Sequence, residues 1–468
     1  MPRACPCHDY SRTELVRRAV ARAGTGLPAI EPGMPIPAGT GLSRKRFVAQ
    51  SFGLALAVYG GSRISAAYLD DGIAEAAALA GPKDPVLVSV FMDGGADSMS
   101  VLFPNGDPRY RALRPRLALP ASQGLAFPDD TRLLWHPAAA ALATLRSEGK
   151  LAVMPAVGYD HPDKSHFTSR HYWEVGATQA GMLTGWMGRL VDTIGKPDNP
   201  LQGLALDTKL MPALATAKMP IASLDSPDTY TFSATPAQAL PLERQMLVVS
   251  GSLGATHSKS KDPALRQAGQ AALAVNRLRG DLRPFTGADG QSTIRSPVAY
   301  PVSAREQFPR RLAGLAAMLA VGLPVRCVSI RAPGMYDTHN DQAADLSDGL
   351  KLTADSLLAF QRDIEARGIA DRVLVHVWSE FGRRGRENGS LGTDHGAAGI
   401  GFLIGSRVRA GMIGEFPGLA GGLDSEGNLR ATSDFRGVYA SIVEQWFGQD
   451  AARVIPNAKS FARPTILA

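Results

Sequence analysis

Five apolar, β-branched runs punctuate the chain, at residues 85–92, 150–157, 323–330, 372–378 and Gly399–Ile404. Near-continuous apolar stretches of this length predict strands buried on both faces of a parallel sheet. Between them the apolar period lengthens to that of a helix. Residues 137–149 are rich in Ala and Leu and end in Gly, while residues 304–322 put Leu312, Leu315, Met318 and Leu319 on one side. Residues 351–368 carry Leu352, Leu357, Leu358 and Ile364 and again end in Gly, the usual helix stop. Strand and helix in alternation predict an α/β domain: a doubly wound, mostly parallel sheet sandwiched by helices. Residues 186–300 break this rhythm. They are rich in Pro, Ser and Thr, with short apolar runs at Gly203–Leu206 and 246–249. They read as an insertion or cap, with one helix at 263–278.

Composition narrows the class. The chain has 468 residues, 45% of them hydrophobic and 20% charged, which excludes a disordered tail, a collagen and a coiled coil. Three cysteines cannot staple a chain of this length. The net charge of +7, from 50 Lys and Arg against 43 Asp and Glu, raises the question of a nucleic-acid partner. No basic run exceeds three residues, and no RNA-binding or zinc-finger signature accompanies them, so no nucleic-acid partner is expected.

Part of that charge has another reading. Residues 1–80 hold 9 Lys and Arg against 6 Asp and Glu and show no amphipathic core. Within them Ser43, Arg44, Lys45, Arg46 and Phe47 precede a mildly apolar run at 52–61, and Ala78, Leu79 and Ala80 have the small-x-small form of a cleavage site. A basic segment, an apolar stretch and small residues in that order form an export signal. The basic group is similar to a twin-arginine signal, with Lys45 in place of the second arginine. The expectation is export to the periplasm or beyond by the twin-arginine machinery, with residues 81–468 forming the α/β domain. No window reaches the length of a spanning helix, so no membrane span is expected in the mature chain. Cys5 and Cys7 would leave with the signal. Cys327, inside the apolar run 324–330, is expected to be buried and inert.

In open α/β sheets ligands bind at the carboxyl ends of the strands. After the first run come Asp93, Gly94, Gly95, Ala96 and Asp97; after the second, Asp163, Lys164, Ser165 and His166; after the third, Tyr336, Asp337, Thr338 and His339; after the fourth, Ser379, Glu380, Phe381 and Arg383. Ahead of the fifth lie Asp394 and His395, between glycines. Each predicted strand thus adjoins acid, imidazole or hydroxyl groups. Carboxylates and imidazoles without a thiolate suit one or two divalent ions, zinc, manganese or magnesium. Such ions clamp a phosphoryl- or sulfuryl-type oxygen and activate a hydroxyl or water. Arg383 reads as a surface or helix-end charge.

The set of pieces DGGAD, SHF…WE, DTHND, SEFGR and GTDHG, with TSDFRGVYA near the C-terminus, resembles the bacterial family called domain of unknown function 1501, of the alkaline-phosphatase-like superfamily. The resemblance runs from about residue 43 to the end. It implies an alkaline-phosphatase-like α/β fold and a metal-dependent hydrolase acting on phosphate or related esters of a small molecule or polymer. In the superfamily pattern Asp93, Asp337, His339, Glu380, Asp394 and His395 would serve the metal. Ser165, or Thr168 as second choice, would be the nucleophile, with His166 beside it. Glu380 stands where the superfamily has Asp, and Phe381 where it has His. The sulfatase motif is not matched: Ser329 falls at the wrong place after Cys327, so a formylglycine sulfatase is not expected. The alternative is a secreted binding or assembly protein on the same fold.

Overall fold

A computed structural model describes residues 84–229, 240–287 and 291–468. The export features expected in residues 1–80 lie outside the described residues. The strands in chain order are β1 (Val86–Phe91), β2 (Leu102–Phe103), β3 (Leu125–Ala126), β4 (Leu134–Trp135), β5 (Leu151–Gly158), β6 (Gly203–Leu206), β7 (Ala222–Leu224), β8 (Cys327–Arg331), β9 (Val373–Trp378), β10 (Arg383–Glu387), β11 (Thr393–His395), β12 (Gly399–Ile404), β13 (Gly411–Met412) and β14 (Ser433–Asp434). Nine of them form the central sheet, in the order β13-β5-β12-β9-β1-β8-β6-β7, with β14 beside β5. β2, β3 and β4 make a small separate sheet, and β10 and β11 a hairpin.

The five apolar runs are the middle of this sheet. β1 lies between β8 and β9 and runs parallel to both, with Val88 level with Val328 and Val375. Alternate residues of β1 feed two different cores. Val86, Val88 and Val90 pack into one with Leu312, Leu315, Leu350, Leu357 and Phe360, from the helices Phe308–Ala320 and Gln342–Ala366. Leu87 and Phe91 pack into the other with Trp173, Met187, Leu190 and Tyr439, from the helices Thr168–Val175, Trp186–Ile194 and Phe435–Ser441. The sheet is therefore mostly parallel and sandwiched by helices. Burial on both faces is what makes β1, β5, β9 and β12 apolar at every position but a few.

β12 departs from the parallel pattern. It runs antiparallel to both β5 and β9, with Gly399 level with Val157 and Ile404 level with Leu151. Its beginning thus lies where β5 ends. A residue that precedes β12 reaches the same edge as residues that follow β1, β5, β8 and β9.

The stretch 186–300, expected to be an insertion or cap, contributes to the sheet. β6 pairs with β8 and β7 with β6, both parallel, extending one edge. These strands are only four and three residues long, and of the two only β6 shows in the sequence as a short apolar run. The run 246–249 lies in the helix Leu240–His257, which packs against Pro263–Leu282. The latter starts where Asp262 accepts the Ala264 and Leu265 N–H groups, with Pro263 in its first turn.

Candidate metal centre

Two crossings bring the strand ends together. After β1 the chain turns through Gly94 (φ +123°) and Gly95 (φ +86°), both left-handed. A Cβ on Gly94 would come 2.3 Å from the Asp337 nitrogen, so the loops after β1 and β8 touch backbone to backbone. The Gly94 and Gly95 N–H groups point to the Glu380 carboxylate after β9, at 3.0 and 3.2 Å. Ser379 adds its hydroxyl to that carboxylate at 3.1 Å.

Asp337 is the focus. Its Oδ1 lies 3.1 Å from His339 Nε2 and 3.3 Å from His395 Nε2, and its Oδ2 lies 3.4 Å from His166 Nε2. Each imidazole is oriented through its other nitrogen. His166 Nδ1 meets Glu380 Oε1 at 2.8 Å, His339 Nδ1 meets Asp394 Oδ1 at 3.3 Å, and His395 Nδ1 meets the Lys164 carbonyl at 2.8 Å. Carboxylates and carbonyls only accept here, so Nδ1 carries the proton in all three rings. The Nε2 atoms of the three rings face Asp337. Lone pairs aimed at a carboxylate repel it unless a cation or proton stands between. Histidines oriented by acids in this way are the usual arrangement around a bound metal.

The donor set fits a divalent ion. Zinc bonds to nitrogen and oxygen of about 2.0–2.2 Å place neighbouring tetrahedral ligands about 3.3–3.5 Å apart. The observed Nε2 to carboxylate separations of 3.1–3.4 Å are of that size. His166, Asp337 and His395 each offer a ligand atom within 4.8 Å of the others.

Electrostatics favour the ionised acids. Burial alone would raise the Asp337 carboxyl, but hydrogen bonds from the three imidazoles and the charge of Arg383 hold it far below the ordinary value. Glu380 is wholly buried, which also works against its charge. His166 and the backbone N–H groups outweigh that and lower it.

Arg383 is the residue whose role the sequence hid. Only 1% exposed, it donates to the Gly95 carbonyl at 3.0 Å, the Thr393 carbonyl at 2.8 Å, the Tyr336 carbonyl at 3.1 Å and Asp337 Oδ1 at 2.6 Å, and also to the Gly94 carbonyl. These partners are scattered over three loops, so no local pattern announces them. Phe381, where the superfamily pattern has His, packs its ring 4.9 Å from that of His166 and 4.7 Å from that of His395.

The remaining expected residues fall in three places. His395, His339 and Asp337 meet at the centre as expected, and His166, expected as a catalytic neighbour, joins them as a ligand-type group. Glu380 and Asp394 stand one layer back, holding imidazoles rather than facing the centre. Asp93 turns elsewhere: its carboxylate meets Arg331 at 3.1 Å and Arg170 at 3.8 Å. Those arginines sit on β8 and on the helix Thr168–Val175. The Ser165 hydroxyl accepts the Phe167 N–H at 3.2 Å, while the Asp163 carboxylate accepts the Ser165 N–H at 2.7 Å. Thr168 is buried at the start of its helix.

The molecule is thus an α/β protein with an imidazole–carboxylate cluster at the carboxyl edge of a mostly parallel sheet. The family described as protein of unknown function (DUF1501) matches residues 215–456, about half of the chain, and the chain belongs to that family. No curated protein matches. Among solved structures, a protein in the alkaline phosphatase superfamily from Vibrio parahaemolyticus is 8% identical over 86% of this chain and 80% of its own, with a TM-score of 0.37. The PsFucS1 sulfatase from Pseudoalteromonas sp. is 13% identical over 85% and 76%, with a TM-score of 0.33. The C-terminal periplasmic domain of EcEptC from Escherichia coli, in complex with Zn, is 10% identical over 80% and 87%, with a TM-score of 0.34. No helix among the described residues is long and apolar enough to cross a membrane.

Proposed function

We propose that this chain is an exported, metal-dependent hydrolase of the alkaline-phosphatase-like class, acting on phosphate or related esters. The observation that carries the reading is the convergence of three acid- or carbonyl-oriented imidazoles on Asp337. His166, His395 and Asp337 would hold the ion, with His339 beside Asp337. An ion there would supply a Lewis acid for the ester oxygen and for the attacking hydroxyl. Glu380, Asp394 and the Lys164 carbonyl keep the ligand nitrogens aimed. Ser165, one residue from His166, is the nucleophile in this reading.

A second reading has a specific observation behind it. The Ser165 hydroxyl is occupied as an acceptor for the Phe167 N–H, the behaviour of a helix-start residue. Water would then attack in place of Ser165.

The test is turnover of phosphomonoester, phosphodiester and sulfate-ester panels with zinc, manganese or magnesium added to metal-free protein. Asp337→Asn is expected to lower any turnover at least a hundredfold. Turnover that survives both chelation and Asp337→Asn would sink the metal-dependent reading. Silence across the panel with metal bound would favour the alternative of a secreted binding or assembly protein. Ser165→Ala separates the two nucleophiles, since only the first reading loses activity with the hydroxyl.

A further inference from the structure

Resting on that metal-dependent reading, we propose that the centre takes one divalent ion per chain, through His166, His395 and Asp337, and that the Arg383 guanidinium is its permanent second cation. The geometry raises the question itself. Asp337 shows Oδ1 to His339 and His395 and Oδ2 to His166, which would also suit a carboxylate bridging two ions about 3.5–4 Å apart.

Three features exclude the pair. The first is the supply of ligands. Glu380 is filled by His166, Ser379 and the Gly94 and Gly95 N–H groups. Asp394 is held by His339 and by Asn388 Nδ2 at 3.2 Å, and Asp93 by Arg331. Each of these acids thus already meets an imidazole, an amide or a guanidinium. The second feature is Phe381. Its ring covers the side of the His166 and His395 rings and offers no donor atom.

The third is charge. A divalent ion and Arg383 bring three positive charges, and Asp337, Glu380 and Asp394 bring three negative ones. Arg383 has no exposed side-chain surface, and four backbone carbonyls besides Asp337 anchor it. It cannot swing out to admit a competitor. A second ion would add two charges beyond this balance.

Metal-free protein titrated with zinc by calorimetry, and metal content measured after desalting, should give one equivalent per chain. The manganese-loaded protein should show the resonance spectrum of isolated ions. The ion should be lost from the double variant Asp337→Asn, His395→Ala. Two equivalents, or an exchange-coupled manganese pair, would overturn the inference and leave the metal-dependent reaction standing. An ion retained by the double variant overturns it too, by placing the ion elsewhere. No binding at all overturns both. The wild-type stoichiometry decides the count even if a variant fails to fold.

The role of Arg383 is read from two further variants. Arg383→Lys and Arg383→Met both lose the forked hydrogen bonds, but only the first keeps the charge. The methionine variant should bind the ion about tenfold more tightly than the lysine variant. Equal affinities would show that Arg383 is a brace and not a cation of the centre.

Discussion

Glu380 is a buried acid whose only imidazole contact runs through His166 Nδ1, so it acts on the centre at one remove. Removing its charge leaves the ligand groups in place but frees the tautomer of His166. Partners of this kind are worth 10–100-fold in metal affinity. Glu380→Gln should therefore weaken zinc binding roughly 10–100-fold, against complete loss for Asp337→Asn, in parallel calorimetric titrations. Affinity unchanged in Glu380→Gln would mean that His166 does not ligate. At the same scale, burial pushes the Cys327 thiol up to about 12. Iodoacetamide should leave Cys327 unlabelled in the native protein and label it after denaturation, as peptide mapping will show. Asp337, His339 and His395 were legible because acids and imidazoles at strand ends have few other uses. The arginine contacts of Asp93 and the burial of Arg383 were not legible, for one reason: they are made with other loops and strands of the fold. Asp93 meets Arg331, and Arg383 meets carbonyls from the loop after β1.

Strands buried on both faces announce themselves by composition, which is why β12 falls on its apolar run, Gly399–Ile404. Direction is another matter. An antiparallel strand in the middle of the sheet buries the same residues as a parallel one, so nothing in the run revealed that β12 is reversed. The reversal is what delivers His395, which comes before its strand, to the edge where the other ligands come after theirs. The helix Gln342–Ala366 begins nine residues before the predicted helix does, and its first turn joins a polar network ahead of the core residues Leu346 and Leu350. There Gln342 Nε2 donates to the Asp97 carboxylate at 2.6 Å, and the wholly buried Arg114 pairs with the same acid at 2.6 Å. Burial raises the Asp97 carboxyl, but Arg114 more than compensates and keeps it below its usual value. Breaking a buried pair by removing one partner costs about 3–5 kcal/mol. Arg114→Met should cost that much in urea unfolding. A loss below about 1 kcal/mol, the scale of an exposed pair, would contradict the burial of this network.

Across the whole molecule, buried histidines outside the centre contribute to an acid limb, and His376 is shifted furthest. His376, level with Ser89 in the middle of the sheet, is 1% exposed, and burial lowers its imidazole to about 3. The folded state therefore binds fewer protons at this ring than the unfolded chain, whose histidine titrates near 6.5. Its contribution is fully present above about pH 6.5 and declines as the pH falls toward 3, by about 1.4 kcal/mol per unit. His376→Leu should flatten the fall in stability between pH 6 and 4 by about that slope, measured against the parent so that the other histidines cancel. An unchanged slope would mean that the ring is charged in the folded protein.

The centre itself bears on global stability, because its ligands and the acid behind them come from four separate segments: the loops after β5 and β8, the loop after β9 through Glu380, and β11. An ion that binds only when these are assembled stabilises the fold by about 4 kcal/mol when its free concentration is a thousand times its dissociation constant. In a chain of this size that corresponds to roughly 5 °C in the melting temperature. Chelation should lower the melting temperature of the metal-loaded protein by that order and leave Asp337→Asn unmoved. The two observations separate a tie from a passenger. A chelator shift of equal size in Asp337→Asn would place the stabilising ion away from the imidazoles. The absence of a shift in the parent, with metal shown to be bound beforehand and gone afterwards, would mean that the strand ends hold their positions without it. In that case the hydrogen bonds of Glu380 and Arg383 would alone account for the assembled edge of the sheet.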